Sequence, residues 1–140
     1  MKKIILLLLF VYSQSEMICN SAIDCELKGE MYLDKANYKK AKYYFEQACT
    51  FNLKEGCYSI GIMYIGGYIK NADIKEAEYY LKKSCDLNMP QGCFNTGLLY
   101  LKGFGVKKDY SIAKFYFKKG CDLGLHQCCA NYQALEKHGY

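Results

Sequence analysis

The sequence predicts an all-α protein, a solenoid of antiparallel helix pairs stapled by disulfides. Cysteines recur every 36 residues in two series, Cys49, Cys85, Cys121 and Cys57, Cys93, Cys129. A stripe of apolar residues with helical spacing recurs at the same interval, so each interval is one structural repeat. The composition is 51% hydrophobic and 24% charged. That balance is typical of a folded domain and excludes disorder of the whole chain.

The N-terminus has the pattern of a secretory signal peptide. Two lysines precede an unbroken apolar run of eight residues over 4–11, and Ser13 and Ser15 then supply small side chains. Because eight residues are too few to cross a bilayer, we expect residues 1–15 to be a cleaved leader. We therefore expect a secreted or periplasmic protein with no membrane span in the mature chain. The alternatives are a lipoprotein acylated at Cys19, which the residues before it disfavour, and a buried N-terminal helix.

Residues 16–140 are predicted to form a single solenoid domain. Its repeats are expected at about 20–52, 53–88 and 89–124, followed by a C-terminal capping helix in 125–140. The spacing predicts helices over 20–34, 37–50, 54–66, 73–87, 90–103, 109–123 and 126–137. In the fourth copy of the motif, Gln133 and Glu136 replace glycine and tyrosine, which suits the polar outer face of a terminal repeat.

The first helix of each pair carries the motif Cys-x3-Gly-x2-Tyr, which begins at Cys25, Cys57 and Cys93. A glycine inside a helix costs about 1 kcal/mol relative to alanine. Its recurrence at one register predicts a close approach of two helices at Gly29, Gly61 and Gly97.

The second helix of each pair carries an alanine and an aromatic or leucine stripe that begins at Ala41, Ala77 and Ala113. Asp73 and Asp109 precede two of these helices and are expected N-caps. Five repeat tyrosines are expected in the core rather than in a ligand site, namely Tyr64, Tyr79, Tyr80, Tyr100 and Tyr116.

The cysteines are predicted to pair across the short turns between successive repeats. Seven residues separate the members of each pair, which are Cys49–Cys57, Cys85–Cys93 and Cys121–Cys129. Antiparallel neighbouring helices bring such positions within disulfide range. Cys19–Cys25 is predicted as a fourth bridge, and Cys128 is the odd thiol. The rival interpretation is zinc binding, but zinc sites favour a shorter Cys-x2–4-Cys spacing.

No complete catalytic motif is evident, and the sequence leaves any catalytic residue unknown. Ser111 and Lys114 match Ser-x-x-Lys, yet the partner motifs of a serine β-lactamase are missing and Ser111 is better explained as a helix-start residue. Only His126 and His138 could supply imidazole, so we expect no metal and no cofactor. All 19 basic residues are lysine, and without arginine we expect no nucleic-acid partner. We also expect a monomer.

Binding has better support, in a groove lined by the first helices of the pairs. Polar residues two before and two after the repeat cysteine lie four apart on one helical face. They are Glu55, Ser59, Gln91, Asn95, Gln127 and Asn131. Such side chains suit an extended peptide, a protein segment or a peptidoglycan fragment, with Tyr58 and Phe94 as flanking rings. The alternative is an ordinary solvated face.

The motifs quoted above, with the glycine turn at 103–106, resemble Sel-like repeats, which are relatives of the tetratricopeptide repeat. The 36-residue period with Cys-x7-Cys spacing is similar to the secreted Helicobacter cysteine-rich protein family. The resemblance covers residues 25 to about 132 and implies a right-handed superhelix. It also implies a penicillin-binding protein with weak β-lactamase activity and a role in antibiotic resistance, whereas other Sel-like proteins are adaptor modules. Two hypotheses for the function therefore remain, namely binding in the groove and, as the alternative that the resemblance implies, β-lactam hydrolysis.

Overall fold

The structure, a computed structural model, describes residues 2–6 and 18–140. Residues 2–6 are helical, and the predicted cleavage site after Ser15 lies outside the described residues. Residues 18–140 contain seven helices and, within that range, no strand. The helices are α1 Ala22–Asp34, α2 Tyr38–Thr50, α3 Lys54–Ile65, α4 Ile74–Asp86, α5 Pro90–Lys102, α6 Tyr110–Asp122 and α7 His126–Lys137. The predicted all-α solenoid of helix pairs is confirmed.

Short polar signals set the ends of the helices. The carboxylate of Asp73 accepts a hydrogen bond at 3.0 Å from the backbone N–H two residues ahead, and that of Asp109 accepts one at 2.9 Å from three residues ahead. Both N-cap predictions are therefore confirmed. Each turn between successive pairs contains one residue with positive φ, Asn52 at 59°, Asn88 at 64° and Gly124 at 93°. Asparagine and glycine adopt this left-handed conformation most easily.

The two helices of a pair meet at the predicted glycines. A methyl group added to Gly61 would lie 2.7 Å from Cγ of Leu81, and one added to Gly97 would lie 2.7 Å from the ring of Phe117. Both distances are too short for carbon atoms, so the close approach requires glycine. The buried Phe45 lies in the same way against Gly29.

Tyrosines join the helices of each pair further along. Tyr64 stacks on Tyr80 with ring centroids 5.8 Å apart, and Tyr100 and Tyr116 stack in the next repeat at 6.2 Å. The prediction of a core position was wrong for Tyr79, which is 58% exposed. Its ring meets the neighbouring Tyr80 only edge-on, because successive residues of a helix point about 100° apart.

The disulfides lie where the helical packing is least extensive. Helices contact each other more within a pair than between successive pairs. Cys49–Cys57 joins α2 to α3, Cys85–Cys93 joins α4 to α5, and Cys121–Cys129 joins α6 to α7. We call these three bridges the staples. A fourth bridge, Cys19–Cys25, ties the segment before α1 to that helix. Each staple therefore links two repeats rather than the two helices of one repeat.

Cys128 is a packing residue rather than a reactive thiol. It is free and fully buried, and burial raises the pKa of its thiol to about 11. At each turn between successive pairs, a glycine faces a larger side chain on the neighbouring helix. In the first two turns this glycine lies on the first helix of the later pair, as Gly56 or Gly92, and the larger side chain lies on the second helix of the earlier pair. In the last turn the order is reversed, because Gly120 on the second helix leaves the space that the sulfur of Cys128 occupies.

Lysines of the second helices reach back to the preceding repeat. The ammonium of Lys83 donates to the backbone carbonyl of Cys49 at 2.9 Å, and Lys119, one repeat later, pairs with Asp86 at 2.8 Å. These two lysines therefore connect successive repeats beside the staples.

Candidate functional site

The first helices of successive pairs lie along one face of the solenoid. Backbone contacts join α1 to α3 and α5 to α7. Side chains connect these helices as well, since the Ser59 hydroxyl of α3 donates to Glu26 of α1 and the Asn95 amide of α5 donates to Tyr58 of α3. We call the face formed by α1, α3, α5 and α7 the groove.

Two pockets of the same construction lie on this face, each with a volume of about 390 Å³. The first, the Ser59 pocket, includes Leu33, Ser59, Ile62, Met63 and Tyr68. The second, the Asn95 pocket, includes Ile65, Asn95, Leu98, Leu99 and Phe104. Each residue of the second set stands 36 residues after its counterpart, apart from Ile65, which stands 32 after Leu33 because the first repeat is shorter. The groove thus presents one pocket design twice.

Each pocket has an apolar floor, one polar wall and an aromatic edge. The floor comes from a first helix, where Met63 and Leu99 are almost fully buried. The aromatic edge comes from the loop that follows that helix, where Tyr68 is 44% and Phe104 is 47% exposed. These exposed rings stand at matching positions of successive repeats and are free to contact a ligand. Apolar pockets with a few polar groups are typical binding sites.

The predicted groove residues are divided by this arrangement. Ser59 and Asn95 lie in the pocket walls, whereas the other four lie outside both pockets, namely Glu55, Gln91, Gln127 and Asn131. The amide of Asn95 donates to the backbone carbonyl of Gln91 at 3.1 Å and approaches the hydroxyl of Tyr58 at 3.4 Å. Its amide oxygen can still accept a bond from a ligand.

Glu26 is a groove residue that the sequence did not indicate. Its side chain is 9% exposed, one carboxyl oxygen accepts a bond from the Ser59 hydroxyl at 2.9 Å, and the other has no partner among the described residues. Burial, with added repulsion from Glu30 and Glu55, raises the pKa of this carboxyl to about 7. The Ser59 hydroxyl, which is the polar group of this pocket wall, is therefore bonded to a carboxyl whose charge changes near neutral pH.

The repeats contain a sequence signal for Glu26. Glu26 follows the repeat cysteine, and the same register holds Tyr58 and Phe94 in the next two copies. A carboxylate in place of two partly buried aromatic rings is a local conflict of the kind that marks unusual sites. The aromatic edge was visible in the same way, since Tyr68 and Phe104 are 36 residues apart.

The Ser-x-x-Lys match has its own surroundings at the far end of the chain. Ser111 is exposed in the first turn of α6. The ammonium of Lys114 binds the backbone oxygen of Tyr140 at 2.6 Å and pairs with Glu136 at 3.3 Å. Among residues 2–6 and 18–140, no group of three or more histidine, cysteine, aspartate or glutamate side chains is placed to hold a metal ion. Within the same residues, no helix has the length and apolarity needed to span a membrane.

The fold and groove define a helical-repeat protein of the solenoid class. Three segments match the Sel1 repeat family, over residues 15–50, 54–89 and 90–125. The chain therefore belongs to the Sel1 repeat family. No curated protein sequence matches it significantly.

Solved structures with the same architecture include a cysteine-rich relative. Helicobacter pylori cysteine-rich protein B is 34% identical with a TM-score of 0.65, and the match covers 78% of this chain and 86% of that one. A Sel1 repeat protein from Oxalobacter formigenes is 26% identical with a TM-score of 0.74, covering 86% of this chain and 51% of the other. This chain therefore spans about half the length of the Oxalobacter protein.

A third solved structure supports the fold alone. It is a protective antigen of uropathogenic Escherichia coli, 22% identical with a TM-score of 0.75, and the match covers 86% of this chain and 27% of that protein.

The resemblance to Sel-like repeats and to the Helicobacter cysteine-rich family, suggested by the sequence motifs, is confirmed by the family match and by the first two of these structures.

Proposed function

We propose that this protein binds an extended peptide segment of a partner protein in its groove, with one apolar side chain in each pocket. The observation that carries this proposal is the repetition of the pocket. The Ser59 and Asn95 pockets are each large enough for one apolar side chain, and the polar side chain at the matching position of each wall, Ser59 or Asn95, can meet the ligand backbone. A ligand that matches both pockets must itself repeat, as a peptide in a regular conformation does.

The spacing of the pockets suggests the spacing of the ligand side chains. Directly packed helices lie about 8–10 Å apart. A polyproline II peptide advances about 3.1 Å per residue and completes a turn in three residues. Apolar side chains at positions i and i+3 therefore point the same way and lie about 9 Å apart, which is within the spacing of directly packed helices.

A selection experiment tests the groove. Random dodecapeptides displayed on phage are selected against the fully oxidised protein, and we expect enrichment of apolar residues at i and i+3. Leu98→Glu places a charge in the floor of the Asn95 pocket and should weaken binding of the selected peptides at least tenfold, because burying an unpaired carboxylate is costly. Asn95→Ala should cost up to about tenfold, for the loss of one neutral hydrogen bond.

The control is Lys82→Glu, which also introduces a carboxylate, on the exposed outer side of α4, and changes the net charge by even more than Leu98→Glu does. Its peptide affinity, measured by fluorescence anisotropy, should equal that of the unmodified protein. If Leu98→Glu and Lys82→Glu bound the selected peptides equally well, the interaction surface would lie elsewhere and the groove proposal would fail.

We also propose that the protein works outside the cytoplasm, in the periplasm or beyond it. Four disulfides support this location, because such bridges persist in oxidising compartments. Expression of the full chain in a bacterium, followed by N-terminal sequencing of the protein recovered from the periplasm and medium, should give a chain that begins at Glu16. An uncleaved product confined to the cytoplasm would contradict both the leader and the location.

β-Lactam hydrolysis is not proposed. It was implied by family resemblance, and no observation on the described residues favours it. Lys114, the lysine of the Ser-x-x-Lys match, is engaged by Glu136 and by the backbone of Tyr140. We expect Ser111→Ala to leave any β-lactam turnover unchanged.

A further inference from the structure

A cavity rich in lysine opens beside the Ser59 pocket. It has a volume of about 670 Å³ and lies between the turn that joins α1 to α2 and the loop that joins α3 to α4. Four lysines line it, Lys35, Lys39, Lys42 and Lys70, and none of its lining residues is acidic. We call it the lysine cavity.

The lysine cavity is continuous with the groove. Tyr38 and Tyr68 line both the cavity and the Ser59 pocket, and their rings lie 5.2 Å apart at the boundary. A ligand that fills the Ser59 pocket therefore needs to extend only past this pair of rings to reach the lysines.

Three of the four ammonium groups carry charge that no ion pair neutralises within the described residues. Lys42 is paired with Glu46 at 2.6 Å. Lys35, Lys39 and Lys70 are exposed, and none of them takes part in the ion pairs of residues 18–140. Lysines gathered around an open cavity without acidic partners create a local positive potential that attracts an anion.

The next repeat shows that this charge is not imposed by the fold. The equivalent cavity, about 440 Å³ in volume, has Lys75 where the first has Lys39, but Glu78 where the first has Lys42. Glu78 accepts a hydrogen bond from the hydroxyl of Tyr100 at 2.6 Å, and Asp109 lines the same cavity. Two cavities of one design therefore differ in charge, and only the first is purely basic.

We propose that the lysine cavity binds acidic side chains of the peptide that occupies the groove, so that the ligand combines an apolar segment with an adjoining acidic one. This inference rests on the proposed function and adds the class of ligand and its register. The neighbouring apolar floor, with Ile62 and Met63, favours a peptide over an anionic glycan, because a glycan has no apolar side chain to fill the Ser59 pocket. Contact between these lysines and the acidic side chains sets the register of the peptide, and so determines which apolar residue enters which pocket.

The test uses defined peptides on the oxidised full protein. Fluorescein-labelled octapeptides carry two leucines three residues apart and a block of three glutamates, placed before the leucines in one peptide and after them in another. Matching peptides carry glutamine instead of glutamate. We expect one glutamate peptide to bind about three- to tenfold more tightly than its glutamine counterpart. The difference should shrink as sodium chloride rises from 50 to 300 mM, because salt screens exposed charges.

Two double variants locate the effect. Lys39→Gln with Lys70→Gln should remove the preference for glutamate and leave the affinity for the glutamine peptide unchanged. The matched control, Lys75→Gln with Lys107→Gln in the equivalent cavity, should retain the preference. All four lysines are exposed, so circular dichroism should show an unchanged fold in both variants.

The outcomes separate this inference from the proposed function. Equal binding of glutamate and glutamine peptides, with both abolished by Leu98→Glu, would keep the groove and overturn the lysine cavity. Peptide binding that is insensitive to Leu98→Glu, or no binding by any of these peptides, would overturn both. Binding of polygalacturonate that is lost in the Lys39/Lys70 variant, with no peptide binding, would identify an anionic glycan and overturn both as stated.

Discussion

Removal of the central staple by Cys85→Ala with Cys93→Ala is expected to lower the free energy of unfolding by about 2–5 kcal/mol. The bridge closes a short loop between residues eight apart in sequence. For such a loop the chain-entropy term alone is about 2–3 kcal/mol. Both sulfur atoms are also fully buried, so their loss leaves small cavities that add to the cost.

The position of the central staple adds a second effect. It links α4 to α5, where packing is less extensive than within the pairs on either side. In a repeat array each repeat contacts only its neighbours, so the coupling between the two halves depends on the interfaces between successive repeats. We therefore expect the variant to unfold over a wider range of urea, with the N-terminal and C-terminal halves no longer coupled in one transition.

Cys128→Ala is the matched control for the central staple. It removes a fully buried sulfur without breaking a bridge. We expect it to cost no more than about 1 kcal/mol. The staple variant removes two buried sulfur atoms, so the part of its loss that exceeds twice the loss in Cys128→Ala measures the covalent link. Urea unfolding followed by far-ultraviolet circular dichroism provides both values. A loss in the staple variant no larger than twice that of Cys128→Ala would show that the staple contributes only its packing.

Glu26→Gln is expected to stabilise the protein at alkaline pH and to remove a pH dependence that the unmodified chain shows. The carboxyl of Glu26 has a pKa of about 7 in the folded protein, against an ordinary value of 4.5. The folded state therefore holds this proton more tightly than the unfolded state does. Its stabilising contribution is complete below about pH 4.5 and is lost as the pH rises through 7.

The magnitude follows from the size of this pKa difference. A rise from 4.5 to about 7 corresponds to a loss of up to about 3 kcal/mol at pH 8 and above. Glutamine cannot ionise, and its amide oxygen can still accept the bond from Ser59. Its NH₂ group takes the place of the unpaired oxygen as an unpaired donor, which offsets part of the gain by about 1 kcal/mol. We expect a net gain of about 1–2 kcal/mol at pH 8 and none at pH 5.

The measurement is urea unfolding of both proteins at pH 5, 6, 7 and 8. All other ionisable groups are present in both proteins, so their contributions cancel in the difference. Glu76→Gln, which removes an exposed carboxylate from α4, should show no such change. A stability difference between Glu26→Gln and the unmodified protein that is constant from pH 5 to 8 would show that Glu26 does not titrate there.

Features that repeat along the chain could be predicted from the sequence. The helix pairs, the glycine approaches and the disulfide-stapled turns all depend on residues at one register, so three copies reveal what one copy would not. Gly61 against Leu81 is such a case. Tyr79 was misplaced because a tyrosine pair does not show which of its two rings points inward.

Features that depend on contacts between repeats could not be predicted in the same way. The Ser59 hydroxyl meets Glu26 across 33 residues, and Lys83 reaches a backbone carbonyl 34 residues away. Such partners are set by the superhelical offset of successive repeats. The lysine cavity depends in addition on two loops of unequal length, whose conformations the apolar pattern does not specify.

The placement of the staples has a consequence for changes in repeat number. Each internal repeat contributes the second cysteine of one bridge and the first cysteine of the next. Deleting 57–92 would remove one partner from each of two bridges and bring Cys49 and Cys93 to the same eight-residue separation that Cys49 and Cys57 have now. The two orphaned cysteines would then be correctly spaced for each other. Arrays of this design can therefore lengthen or shorten by whole repeats during evolution without creating an unpaired thiol.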